Sequence, residues 1–174
     1  MLVSVDQIEQ AHESLQSVVS KTPLQHDRFL SEKYQATVLL KREDLQKVRS
    51  FKLRGAYYAI AQQDPAILKR GVVCASAGNH AQGVAYTCHE LKVSAVIFMP
   101  TTTPQQKVAQ VLFFGGDFVR IELVGGTFGA SAEGAPHYAE EHQMAVIDPL
   151  YDPAIISGQG TMAGVLLAES KQSH

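Results

Sequence analysis

Cysteine is scarce: Cys74 and Cys88 are the only two in 174 residues, and they lie in apolar surroundings without CxxC spacing. That excludes a disulfide framework and a cysteine zinc site, and buried free thiols are expected. Neither end carries a run of lysine or arginine and the formal charge is −2, so the electrostatic footprint of a nucleic-acid binder is missing. The expected partners are small molecules or other subunits. No stretch approaches the roughly 18 apolar residues that span a bilayer, and the N-terminus lacks a basic segment followed by an apolar one. No membrane contact is expected, and the chain reads as cytoplasmic. GxxxxGK[ST] and GxGxxG are both absent, which removes the Walker phosphate loop and the dinucleotide fingerprint. There is no internal repeat, low-complexity tract or flexible linker. What remains is ordinary globular composition, 45% hydrophobic and 18% charged.

The apolar residues are ordered along the chain. Ser4 with Gln7 forms a capping-box pattern before Ile8, Ala11, Leu15 and Val18, which predicts an amphipathic helix over 4–19. A short helix over 29–34, a β-prone run over 37–40, the charged loop KREDLQKV and a helix over 51–62 follow. From residue 72, short apolar runs (VVCA, SAVIFM, FVRIEL, MAVI) alternate with helix-length segments, the signature of a parallel sheet covered by helices. Four strands and three crossovers are expected over 72–148, flanked by 1–71 and 149–174, which supply helices but few strands.

Local signals refine this plan. Thr103 is expected as N-cap with Pro104 at N1 and Gln106 at N3. Pro136 predicts a broken or late helix in the third crossover. Gly115-Gly116 and Gly125-Gly126 read as turns, and Gly158-Gln159-Gly160-Thr161 reads as a turn-to-helix junction with Thr161 as cap.

Ligands of open α/β sheets gather at the carboxyl ends of strands, and the first regular strand ends in ASAGNHAQG. Ser76, Ala77, Gly78, Asn79 and His80 therefore occupy the favoured place. A small turn entering a helix N-terminus offers free N–H groups and a positive dipole end to a carboxylate or phosphate. The alternative is a plain tight turn in which Asn79 caps the helix and His80 is an ordinary helix residue. The second candidate is Lys52 in VRSFKLRGA. A lysine amine can condense with an aldehyde, and it becomes a nucleophile or base when burial or a neighbouring cation such as Arg54 lowers its pKa. Phe51 offers apolar cover. Ser50 as N-cap would set Lys52 in the first helical turn, where the helix dipole opposes its charge. The alternative is one more solvated charge in a charged segment.

Together KREDLQKVRSFKLRGA, CASAGNHAQGVA, FMPTTTPQQKV and ISGQGT resemble, in order and spacing, the threonine dehydratases. These are also called threonine deaminases or ammonia-lyases, and they are pyridoxal-phosphate enzymes of fold type II. The resemblance spans nearly the whole chain. It implies a three-layer α/β fold of the tryptophan synthase β kind, with 1–71 opening the large domain, 72–148 forming the small subdomain and 149–174 returning to the large one. It further implies that Lys52 anchors pyridoxal 5'-phosphate, that Phe51 packs beside it, and that Asn79 meets the ring 3'-oxygen. Ser76, Ala77, Gly78, Asn79 and His80 would hold the substrate carboxylate.

The implied reaction is removal of the α-proton of L-threonine by Lys52 and loss of the β-hydroxyl as water, after which the aminoacrylate-type product takes up water and hydrolyses to 2-oxobutanoate and ammonia, as in isoleucine biosynthesis. L-Serine and the serine dehydratases or racemases are the alternative. Val48-Arg49 before SFK resembles the biosynthetic branch, since catabolic relatives carry Thr-Gly there. The resemblance also implies a homo-oligomer. Relatives continue to a glycine-rich phosphate loop, and no such run occurs in these 174 residues. A truncated chain with little or no activity alone is expected. A silent amino-acid-binding or interaction module is the reading from a different class.

Overall fold

The computed structural model describes residues 2–172. Helix α1 (Val5–Leu15) opens on the expected capping box: Ser4 Oγ accepts from the Gln7 amide at 3.2 Å, and Gln7 Oε1 accepts from the Ser4 amide at 2.8 Å. It ends earlier than its apolar spacing predicts, because the amides of Val18 and Val19 both turn back onto the Leu15 carbonyl at 3.0 Å. Strands β1 (Leu24–His26) and β2 (Leu39–Lys41) form an antiparallel ribbon around α2 (Arg28–Tyr34). A 3-10 turn (Glu43–Leu45) then leads to α3 (Lys52–Ala61) and the single turn α4 (Pro65–Leu68).

Strands β3 (Val72–Ala75), β4 (Ala95–Met99), β5 (Val119–Leu123) and β6 (Ala145–Val146) make one parallel sheet in the order β5-β4-β3-β6. Between them run α5 (Asn79–Leu91), α6 (Gln105–Gly115) and α7 (Phe128–His142), and α8 (Pro153–Gln172) follows β6. The period-2 alternation of a strand divides the sheet residues between two cores. Val72, Cys74, Ala95 and Ile97 pack with Ala81, Val84 and Cys88 of α5 and with Ala56 and Ile60 of α3. Val73, Val96 and Phe98 pack on Ala135 and Ala139 of α7. Helices therefore cover both faces. Behind α5 lies α3, packed in turn on α8, and α8 on α1.

Three local expectations give way to tertiary geometry. Helix α6 starts at Gln105, with Pro104 in the cap position and no side-chain cap. Thr103 is drawn into the preceding turn by its amide bond to the Pro100 carbonyl, and its buried hydroxyl finds no partner. Helix α7 runs unbroken through Pro136, which is exposed, so the one missing backbone hydrogen bond falls on the wet side. Helix α8 is likewise continuous through Gly158, Gln159, Gly160 and Thr161. The two cysteines are buried free thiols, as expected. Burial pushes both thiols up, Cys88 to about 12. Among the described residues no helix is long and apolar enough to cross a membrane.

Strand β3 leads to β4 on one side while β6 arrives on the other, so the strand order reverses between β3 and β6. Ligands of open α/β sheets settle beyond the carboxyl ends of such a pair. The loop 76–80 leaves β3 at that point.

Candidate active site

Lys52 is the first residue of α3 and is half-buried. Its Nζ lies 5.3 Å from the centroid of the Phe51 ring and makes no hydrogen bond or ion pair among the described residues. The helix does not begin on Ser50: Phe51 occupies the cap position, and Ser50 Oγ is buried without a partner. The reason is Arg49, whose left-handed φ of 61° turns the chain just before the helix and leaves Ser50 facing the interior.

Arg54 is not the cation that tunes Lys52. The residue is 2% exposed and its guanidinium is committed to Glu43, with Nε to Oε2 at 2.8 Å and Nη2 to Oε1 at 2.9 Å, and to Thr161 Oγ1 at 3.2 Å. Glu43 also accepts from Thr22 Oγ1 at 2.7 Å and from Gln46. Burial by itself would raise its pKa, but hydrogen bonds from Arg54 and Thr22 and the Arg54 charge hold the carboxyl below the usual range. Beside this pair Lys41 meets Glu169 at 2.8 Å. Arg54, Lys41 and Glu169 line a cleft of about 770 Å³ between α1 and α8, but neither Lys52 nor any of 76–80 reaches it.

Glycines set the place of Lys52. A Cβ on Gly83 of α5 would come within 3.1 Å of the Lys52 carbonyl, and one on Gly158 of α8 within 2.6 Å of the Gly55 Cα. The Gly55 amide donates to Gln159 Oε1 at 3.1 Å. Helix α3 is thus gripped from both sides, with its N-terminus against the first turns of α5. A glycine inside a helix is a sequence signal of close approach, so Gly83 was findable. The partnership of Gln159 and Glu43 with α3 had no such local sign.

The 76–80 loop is capped by Ser76 rather than Asn79. Ser76 Oγ accepts from the amides of Gly78 and Ala81, both at 3.3 Å, and its own amide donates to the Phe98 carbonyl at 3.0 Å. Asn79, exposed and first in α5, keeps its side chain free of hydrogen bonds among the described residues, and nothing stands within 4 Å of where a Gly78 Cβ would be. The amides of Asn79 and His80 lie in the first turn of a 13-residue helix, where backbone N–H groups lack intrahelical acceptors and the dipole end is positive. His80 is no ordinary surface residue, being 3% exposed with Nε2 3.0 Å from the Ile147 carbonyl oxygen. Its pKa falls to about 4, first through burial, with the Lys52 charge adding to the fall and Ile147, Asp148 and Asp152 opposing it. Lys52 and His80 therefore feel each other, and α3 and the loop converge on one place.

An unpaired amine beside a helix N-terminus that can take an anion suits an aldehyde cofactor and a carboxylate. The sequence model of the pyridoxal-phosphate dependent enzymes matches residues 15–172. The chain belongs to this family. Its fold is that of the fold type II members. The biosynthetic L-threonine dehydratase of Lactococcus lactis is 52% identical over 171 residues, 98% of this chain and 41% of that protein. The processed threonine deaminase isoform 2 of Solanum lycopersicum superposes with a TM-score of 0.83 at 38% identity, over 95% of this chain and 46% of that one. Maize serine racemase superposes at 0.90 with 29% identity, over 97% and 50%. The chain thus spans about two-fifths to one-half of these relatives. The residues present fit the cofactor of the pyridoxal-phosphate family: among the described residues the Lys52 amine has no hydrogen-bond or ion-pair partner, the Phe51 ring flanks it, and the Asn79 side chain makes no hydrogen bond that it would have to give up.

Proposed function

We propose that this chain carries the lysine and the carboxylate-binding loop of an L-threonine dehydratase of the biosynthetic type, which converts L-threonine to 2-oxobutanoate and ammonia. The observation that carries the reading is the 52% identity to a biosynthetic threonine dehydratase across 98% of the chain. The packing of α8 on α1 and α3 supports grouping 1–71 with 149–174 in one domain and 72–148 in another.

Lys52 holds the cofactor, Phe51 covers it, and Asn79 is its hydrogen-bonding neighbour. Pyridoxal phosphate, when bound, supplies an aldehyde for an amine and a ring that takes up negative charge. The amides at the start of α5, with Ser76, Ala77, Gly78, Asn79 and His80 around them, hold the substrate carboxylate, and the helix dipole favours that charge. Lys52 Nζ takes the proton from the substrate α-carbon, helped by a half-buried setting that offers it no carboxylate. Threonine then gives up one water and one ammonia in exchange for the water that completes the oxo acid, so atoms balance.

The test is chemical trapping. Borohydride reduction of the chain mixed with pyridoxal 5'-phosphate is expected to leave a pyridoxyl group on the peptide bearing Lys52 and none in Lys52→Ala. Labelling spread evenly over exposed lysines such as Lys47 and Lys92 would overturn the assignment. The maize racemase backbone match favours L-serine as the second substrate to try. Little or no turnover is expected from this chain alone, so product analysis with L-threonine and with L-serine in the presence of pyridoxal 5'-phosphate tests both the activity and the choice of substrate.

A further inference from the structure

We propose that His80 is a positioning residue whose neutral ring ties the 76–80 loop to the end of β6, holding the open amides of α5 beside Lys52. This deepens the carboxylate-loop reading above and rests on it only for the ligand measurement.

The Ile147 carbonyl can only accept, so the 3.0 Å contact requires a proton on His80 Nε2. The neutral ring then leaves Nδ1 as a bare lone pair, and Nδ1 is buried with no partner. Protonating it would place a second N–H where nothing accepts. Lys52 on α3 opposes that charge, while Asp148 and Asp152, on the loop between β6 and α8, favour it without reaching the ring through any hydrogen bond. The tie also spans the site. Ile147 is bound to β3 by its amide donating to the Val73 carbonyl at 2.8 Å, and the loop is bound to β4 by the Ser76 amide on Phe98. The His80 ring closes this bracket across the β3–β6 reversal. Gly83, three residues on, lies against the Lys52 carbonyl, so the helix face that carries the ring is the one that meets α3.

The test uses the full chain and NMR of the imidazole nitrogens. The expected spectrum shows the Nε2–H tautomer with no titration between about pH 5.5 and 8.5, a range in which a free histidine changes charge. An Nδ1–H tautomer or a midpoint near the ordinary value overturns the proposal, whether or not any variant folds. Amide hydrogen exchange supplies the second measurement. In His80→Leu, exchange at 76–80 and 147–149 should quicken by about tenfold or more while β4 and α6 stay unchanged, and His80→Gln, which keeps an N–H donor, should stay within about threefold of the parent. Uniform acceleration across the sheet, or no rescue by glutamine, refutes positioning. L-Threonine should shift the amides of Gly78, Asn79 and His80, and bind about tenfold more weakly to the leucine variant. If those amides ignore L-threonine while tautomer and exchange behave as stated, the carboxylate reading fails and the tie stands.

Discussion

The Glu43–Arg54 pair is the most consequential contact that no local pattern announces, and its removal from one side has a calculable effect. In Glu43→Leu the guanidinium of Arg54, a residue 2% exposed, loses acceptors at 2.8 and 2.9 Å and among the described residues keeps only Thr161. Truncating one member of a buried, hydrogen-bonded pair costs about 3–5 kcal/mol, because the surviving charge stays desolvated. Against a typical domain stability of about 5–15 kcal/mol this is a large fraction. Arg54→Met leaves a carboxylate that still has Thr22 and Gln46 and can neutralise itself by taking a proton, so its effect should shrink as the pH falls toward 4.5, the ordinary value of Glu43. The double variant Glu43→Leu/Arg54→Met removes both charges and should lose far less than the sum, with a coupling of about 2 kcal/mol or more. Urea unfolding followed by far-UV circular dichroism at pH 7 measures all three. A Glu43→Leu effect under about 1 kcal/mol, or strict additivity, would refute the view that this pair locks α3 and hence Lys52 in register.

Arg49→Gly should raise the urea midpoint by about 0.5–1 kcal/mol of stability, because glycine takes the φ of 61° without the side-chain clash that arginine bears. An unchanged or lowered midpoint counts against strain at that turn. Gly158→Ala should destabilise by about 1–3 kcal/mol or more, since its Cβ meets backbone at 2.6 Å on Gly55 and 2.7 Å on Arg54. Gly164→Ala on the same helix, with open space around it, should stabilise by up to about 1 kcal/mol, and equal effects at the two sites would dispose of the close-packing argument. The His80 pKa of about 4 against an ordinary 6.5 means that the unfolded chain binds the proton first as pH falls. Stability should therefore decline between pH 6.5 and 4, by about 3 kcal/mol from this group, and His80→Gln should flatten that slope.

Much of the fold could be read directly from the order of residues. The alternation of short apolar runs with helix-length segments from residue 72 places β3 to β6, and the Ser4–Gln7 box starts α1 where the structure does. These features depend on neighbours a few residues apart, which is the range that capping and periodicity sense. The residue types of Lys52 and of the 76–80 loop could be picked out at a helix start and a strand end, with a solvated lysine and a plain tight turn standing beside them as alternatives. Beyond that range the sequence was mute. Asn79 read as the cap of the helix after β3, whereas the folded chain uses Ser76, whose own amide is fixed by the Phe98 carbonyl and whose hydroxyl accepts from Gly78 and Ala81. Arg54 stood two residues from Lys52 yet serves Glu43, 11 positions back, and Thr161, 107 positions on. Gly158 and Gly160 looked like a turn because nothing nearby revealed that another helix, at Gly55, would press against the first of them. Periodicity therefore determined most of the elements that form, and it set the chemistry-bearing residues near a strand end and a helix start. Only the packed structure decided which charges pair, which hydroxyl caps and which imidazole stays neutral, because each of those choices turns on burial and on partners far away along the chain.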